Sequence, residues 1–185
     1  MNSSWLRPLL KVLGVRYGKR LTLKGFPVIF NHKGATLSMG DHVTINSGFL
    51  SNLVGLYSRT IIVTRVPGAK IVIGDNVGIS GATIYARKGI YIGDNTLIGG
   101  NTKILDNDFH PLDIEARNAD DKEKIASREI VIGKNCFIGC NSIILKGTVL
   151  GEGCVVGAGG VVSGVFEKNS IIAGNPARVI RTMEK

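Results

Sequence analysis

Few side chains in this sequence can carry chemistry near neutral pH: three histidines, His32, His42 and His110, and three cysteines, Cys136, Cys140 and Cys154. Of these, His110 has the richest setting, the run Asp108-Phe109-His110-Pro111-Leu112-Asp113, with Asp106 just before it and Glu115 and Arg117 just after. An imidazole whose unperturbed pKa is about 6.5 can take a proton from a hydroxyl or an amine near neutrality. His110 is therefore the candidate general base. Asp106, Asp108 and Glu115 are the neighbouring acids that would fix its tautomer or the shape of its loop, and the sequence does not say which of them reaches it. His32 and His42 lie in the N-terminal part, where a packing or solvated histidine is the ordinary expectation.

The cysteines point away from metal and disulfide chemistry. Their number is odd and no secretory leader is recognisable, so a reduced, cytoplasmic setting is expected. Cys136 and Cys154 fall at positions reserved for small core residues, while Cys140 points outward. A Cys-x3-Cys pair with no histidine nearby is a weak metal signal. A covalent acyl-enzyme on Cys140 would lack a paired base in the local sequence. The three histidines lie on distant segments, which argues against a three-histidine metal site, and no metal is expected.

What positions these residues is a repeat of six. Ile132, Ile138, Ile144, Leu150, Val156 and Val162 are aliphatic at every sixth step, and a small residue follows the first five by four positions: Cys136, Ser142, Thr148, Cys154 and Gly160. Neither an α-helix nor a flat strand has that period; a parallel β-helix built from hexapeptides does. The same rhythm passes through Met39-Gly-Asp-His-Val43, Ile73-Gly-Asp-Asn-Val77 and Ile92-Gly-Asp-Asn-Thr96, and continues through Ile98 and Ile104. Between Ile79 and Ile92 the frame slips by one, so a turn there must hold an extra residue. Each coil buries its apolar interior only against its neighbours, so the repeats must stack. Twenty-five glycines, placed regularly after the inward aliphatic residue, suit tight corners rather than disorder.

The rhythm stops near Asn107 and resumes at Ile130. A loop of that length inside a repeat domain is usually functional. The organisation expected is a single domain over 1–185, with an N-terminal helix or cap at 1–20, coils at 21–106 and 130–174, the catalytic loop at 107–129 and a tail at 175–185. Charge is unevenly spread. Residues 106–129 hold eight acidic and four basic side chains, while the remainder carries 19 basic against 6 acidic. So basic a body suits a polyanionic cofactor or an anionic membrane surface; nucleic acid is disfavoured because no stacking aromatics accompany the charge. The segment Trp5 to Leu13 has a helix-like apolar face, yet is far shorter than the roughly 20 residues a bilayer span needs. It reads as a cap on the open end of the β-helix, with a peripheral membrane contact as the alternative.

From residue 71 to 181 the chain resembles the hexapeptide-repeat acyltransferases, in particular the maltose, galactoside and polysaccharide O-acetyltransferase branch. The resemblance is carried by the Asp-Phe-His-Pro-Leu-Asp run, by Glu115 with Arg117, and by the ending Ala173-Gly-Asn-Pro-Ala-Arg-Val-Ile-Arg181. It implies an all-β, left-handed parallel β-helix, a hand that periodicity does not give. A homotrimer with sites between subunits is implied too, together with acetyl-CoA as cosubstrate and His110 as general base in direct transfer to a sugar hydroxyl. Phe137, Cys140, Ala158 and Ser163 would line the cofactor groove, and Arg178 and Arg181 would face the nucleotide phosphates. Ser80 falls where galactoside enzymes carry an active-site asparagine, Phe137 replaces a tryptophan, and Gly164 replaces a common lysine. The first departure leaves the acceptor open: a sugar or glycan hydroxyl in surface polysaccharide synthesis, or the amine of an amino sugar on a nucleotide carrier. A non-catalytic β-helix scaffold is the remaining alternative, and the His110 loop argues against it.

Overall fold

A computed structural model of the chain describes residues 3–184. Its strands wind into a triangular prism whose first, second and third faces hold seven, eight and six strands. Strands stack in parallel from coil to coil, and the hexapeptide residue of one coil sits directly on that of the next. On the first face Ile73, Ile92, Ile132, Leu150 and Phe166 form one inward column. Ile45, Ile79, Ile98, Ile138 and Val156 form another on the second face. The third column comprises Ile62, Ile84, Ile104, Ile144 and Val162. The isoleucines of these columns are buried. Burying one such side chain contributes roughly 1.5–3 kcal/mol, so the core is the sum of many equal steps.

The small residue of each repeat has a second task. Thr102, Ser142 and Thr148 each donate from one hydroxyl to a carbonyl of their own corner and to one on the next coil, at 2.7–3.2 Å. A larger side chain would not fit there, and an apolar one would leave corner carbonyls without these donors. In the Gly-Asp-Asn corners the three positions divide the work. A Cβ on Gly93 would stand 2.6 Å from the backbone nitrogen of Lys134. Asp75 accepts from the Asp41 amide at 2.7 Å and Asp94 from the Asp75 amide at 3.0 Å, linking coils. Asn76 and Asn95 take the left-handed turn at φ 57, which asparagine tolerates. His42 occupies that same turn position, at φ 58, which fixes it as a structural residue.

The frame slip resolves into two changes. Ile79 pairs with Ile98 and Ile84 with Ile104, so this coil is one residue short at its second–third corner. Its third–first corner, 86–89, then makes up two. The wide corner is held from the next coil by Asp106, whose buried carboxylate accepts from the amides of Arg87, Lys88 and Gly89 at 2.8, 2.7 and 2.8 Å.

Both ends of the prism are closed. Helix α1 (Arg7–Val12) inserts Leu10 into the first coil, and the coils begin at Arg16–Tyr17, inside the segment expected as cap. The residues expected as a tail are instead a strand, Ala177–Thr182, that turns back antiparallel on Ser170–Gly174 and covers the end of the second face. Among the described residues no helix is long and apolar enough to cross a membrane.

Candidate active site

Two excursions break the prism, and they leave from different corners. The His110 loop departs from the third–first corner after Lys103–Leu105 and rejoins at Ile130–Ile132. Its neck is closed by backbone bonds, Asp108 N to Ala126 O at 3.1 Å and Arg128 N to Asp106 O at 2.9 Å. Beyond the neck lies α2 (Ile114–Asn118), capped by Asp113, which accepts from the Ala116 amide at 2.8 Å. Arg117 folds back to donate to the carbonyls of Pro111 and Leu112.

Within this frame His110 is presented by a three-residue turn. The His110 amide donates to Asp108 O at 2.7 Å across Phe109, which sits at φ 63. Such a conformation is costly for a bulky residue and persists only where its surroundings hold it. Here Asn107 accepts from the Phe109 amide at 2.9 Å and the Phe109 ring lies 4.8 Å from that of Tyr85. Pro111 is buried behind the turn. The imidazole projects outward, exposed, with no hydrogen-bond partner among the described residues.

None of the three acids expected to orient His110 touches its ring. Asp106 is committed to the wide corner, where its carboxylate also accepts from the Asn107 side chain at 3.1 Å. Asp108 pairs with Lys146, and its other carboxylate oxygen is buried without a partner. Glu115 points to solvent from α2. The sequence could not show this, because hexapeptide spacing places Asp106 near His110 along the chain but does not reveal the corner beneath it. Asp108 and Lys146, with Asn107, Arg128, Leu145 and Ser163, enclose a cavity of about 230 Å³ beside the loop neck. Arg128, at the end of the loop, and Lys146, on the following coil, line this cavity without having been singled out in the sequence, because neither belongs to the His110 motif.

The other called residues lie elsewhere. Cys140 and Ala158 are stacked at the second–third corner, so closely that a Cβ on Gly139 would stand 2.5 Å from the Ala158 nitrogen. Phe137 is exposed on the second face, and Arg178 and Arg181 are exposed on its terminal strand. Ser163 alone falls on the His110 side. Ser80 is on the second–third corner, accepting from the side chains of Asn46 and Asn52 at 3.0 Å each. Above it the second excursion, 48–60, runs along the corner toward the C-terminal coils. Its Tyr57 hydroxyl reaches the Asn141 side chain at 3.3 Å, and the Tyr57 amide donates to that of Asn101 at 3.1 Å. At its root a cavity of about 370 Å³ is lined by Phe26, Phe49, Tyr57, Ser58 and Arg59 among others.

Between the two corners lies the third face, whose outward side is mostly apolar, with Lys103 donating to Thr83 upon it at 3.1 Å. Val28 and Phe30 are exposed on it, and Ile61, Val63, Leu105, Ile143 and Leu145 are half-buried. Cys136 and Cys154 are buried core residues; burial pushes the Cys136 thiol up to about 11 and raises that of Cys154 as well. Protonated, buried thiols of this kind are poor nucleophiles.

A β-helix of stacked hexapeptides with a histidine-bearing loop at one corner describes a class of acyl-transfer proteins, and the comparisons agree. A family model for the hexapeptide repeat of succinyl-transferase matches residues 129–163. The chain is 37% identical over 175 residues to the uncharacterized 24.8 kDa protein in the cps region of Klebsiella pneumoniae, spanning 88% of this chain and 76% of that one. Among solved structures it is similar to AntD, an N-acyltransferase from Bacillus cereus in complex with dTDP and 3-hydroxybutyryl-CoA. There the TM-score is 0.75 at 25% identity, over 100% of this chain and 92% of AntD. It is also similar to a hexapeptide-repeat acetyltransferase of Vibrio cholerae complexed with acetyl-CoA, at TM-score 0.64 and 24% identity, over 100% and 80%. The chain belongs to the hexapeptide-repeat acyltransferase family, and its prism is a left-handed parallel β-helix.

Proposed function

We propose that the protein is an acetyl-CoA-dependent acetyltransferase acting on a sugar, with His110 as general base and active sites shared between copies in a homotrimer. One observation carries this reading. The exposed imidazole of His110, unpartnered among the described residues, stands at one corner of the prism with Ser163 beside it, Cys140 and Ala158 line another, and a mostly apolar face separates the two. A second copy packed on the third face would bring one chain's His110 to its neighbour's groove.

In the reaction, His110 Nε2 or Nδ1 takes the proton of the acceptor hydroxyl as its oxygen bonds to the thioester carbonyl carbon. The tetrahedral intermediate then collapses, the carbon–sulfur bond breaks, and the thiolate of CoA leaves and is protonated. The main contribution of the protein is to hold the two reactants at attacking distance. Phe137, Cys140, Ala158 and Ser163 are assigned to the cofactor, with Arg178 and Arg181 suited to its phosphates because guanidinium offers several permanently charged donors. The relative from a cps region supports a surface-polysaccharide acceptor, and a cytoplasmic protein at the inner face of the membrane fits such a precursor. Transfer to an amino sugar is the second reading, favoured by the likeness to the N-acyltransferase AntD.

The test is acceptor-dependent release of free thiol from acetyl-CoA with sugars, nucleotide-linked amino sugars and lipid-linked glycans, using wild type, His110→Ala and the groove-blocking Ala158→Trp. Both variants should be inactive alone. Co-expressed at equal levels, they should regain about a quarter of wild-type activity, because in a randomly assorted ring one site in four joins an intact histidine to an intact groove. No recovery in demonstrably mixed oligomers would overturn the shared site; release by His110→Ala alone would overturn the base.

A further inference from the structure

The N-terminal end of the prism carries an apolar surface that the fold does not use. Through the turn Ser4–Leu6 and α1, Leu6 and Leu10 face the core. Trp5, Leu9, Val12 and Leu13, at helical spacing on the opposite side, face outward, with Trp5 68% and Val12 83% exposed. Trp5 stacks edge-on with the exposed Phe26 of the first coil at 6.1 Å, which extends the patch onto the prism. A helix apolar on both sides is expected where both sides are covered; here one side is open.

Charge decides what covers it. Lys11, Arg16, Lys19, Arg20, Lys24 and Lys33 surround the patch, all exposed, and the first carboxylate of the chain is Asp41. A second copy docking end to end would bring these cations against their equals. An anionic bilayer supplies both an interface for tryptophan and aliphatic side chains and the opposite charge. Nucleic acid would match the charge but leaves Leu9, Val12 and Leu13 without a partner.

We propose that this end of the prism docks on an anionic lipid surface, with Trp5, Leu9, Val12 and Leu13 entering the interface and the surrounding lysines and arginines meeting lipid phosphates. The proposal deepens the reading of a peripheral enzyme acting on membrane-linked glycan precursors. In the side-by-side oligomer of that reading three such ends lie in one plane, so binding is multivalent.

Co-sedimentation of the full chain with vesicles of phosphatidylcholine, and of phosphatidylcholine with about a third phosphatidylglycerol, tests it. Binding should be at least ten-fold stronger to the anionic vesicles and should fall on raising salt from 0.05 to about 0.5 M, as screening requires. The triple variant Trp5→Ser, Leu9→Ser, Val12→Ser should lose at least ten-fold in vesicle binding, and the charge reversal Lys19→Glu, Lys24→Glu, Lys33→Glu should do the same from exposed positions that leave the core untouched. Both should keep wild-type CoA binding and thiol release with a soluble acceptor. Equal binding to both vesicle types, no binding, or a single-stranded oligonucleotide that displaces the protein from vesicles would each overturn the proposal. Vesicle binding by a chain without transferase activity would support the docking surface and overturn the enzyme reading instead; activity without vesicle binding would do the reverse.

Discussion

Replacing Asp106 by asparagine separates scaffold from chemistry. In the structure one carboxylate oxygen accepts from the Arg87 amide at 2.8 Å and from the Asn107 side chain at 3.1 Å, and the other accepts from the amides of Lys88 and Gly89 at 2.7 and 2.8 Å. Whichever way the new amide is turned, its NH2 faces at least one backbone N–H and orphans it. An unpaired buried donor costs about 1–3 kcal/mol, and each bond that survives loses its charge assistance, about 1 kcal/mol more. The sum is about 3–5 kcal/mol. For a chain of this length roughly 2–4 °C of melting temperature goes with each kcal/mol, so a drop on the order of 10 °C is expected. Thermal unfolding followed by circular dichroism at one protein concentration measures it, beside His110→Ala, whose exposed ring has no hydrogen-bond partner among the described residues and which should melt within about 2 °C of wild type. If Asp106→Asn melts with wild type but loses thiol release as His110→Ala does, the assignment of Asp106 to the corner is wrong and it belongs to the chemistry.

Three further outcomes follow from the packing. Under native conditions near pH 8 a thiol reagent should label one cysteine quickly, Cys140, and Cys140→Ser should abolish that fast phase, because Cys136 and Cys154 are buried with raised thiol pKa values. Burial holds the Cys136 proton in the folded state up to about 11 against an ordinary 9.0. The stability it supports is full below pH 9 and declines between pH 9 and about 11, by up to about 2–3 kcal/mol, and Cys136→Ala should flatten urea-unfolding stability over that window. Gly139→Ala would press a methyl against the Ala158 backbone at 2.5 Å, while Gly159→Ala meets nothing within 4 Å and only strains a left-handed φ of 72. Melting should therefore show the first to be the more costly, at about 2–3 kcal/mol or more against about 1.

How far the molecule could be read from its sequence depended on which interactions repeat. The inward columns were legible because a residue every six steps meets its own equivalent on the next coil, so Ile132, Ile138 and Ile144 announce three faces at once. The frame slip was legible as a single extra residue, but not as a shortened corner at 80–82 compensated by a widened one at 86–89, since only the pairing of Ile84 with Ile104 reveals that. The task of Asp106 was illegible for the same reason: along the chain it neighbours His110, whereas in space its carboxylate accepts from three amides of the preceding coil. The terminal strand Ala177–Thr182 escaped notice because its pairing is antiparallel and lies outside the repeat.

The regularity that makes the fold legible also determines where a site can form. A prism filled by isoleucine columns has no interior cavity of its own, and its outward side chains stand in flat ladders. Concavity has to come from an excursion at a corner or from the cleft beside a second prism. Here both excursions flank the same face. The loop 107–129 leaves its third–first edge and 48–60 leaves its second–third edge, and the face between them, with Val28, Phe30, Val63 and Leu105 outward, is mostly apolar apart from the Lys103–Thr83 pair. Two loops on one prism cannot close across a face that six strands keep flat, and it is this separation, with an imidazole unpartnered among the described residues, on which the proposal of a site shared between copies rests.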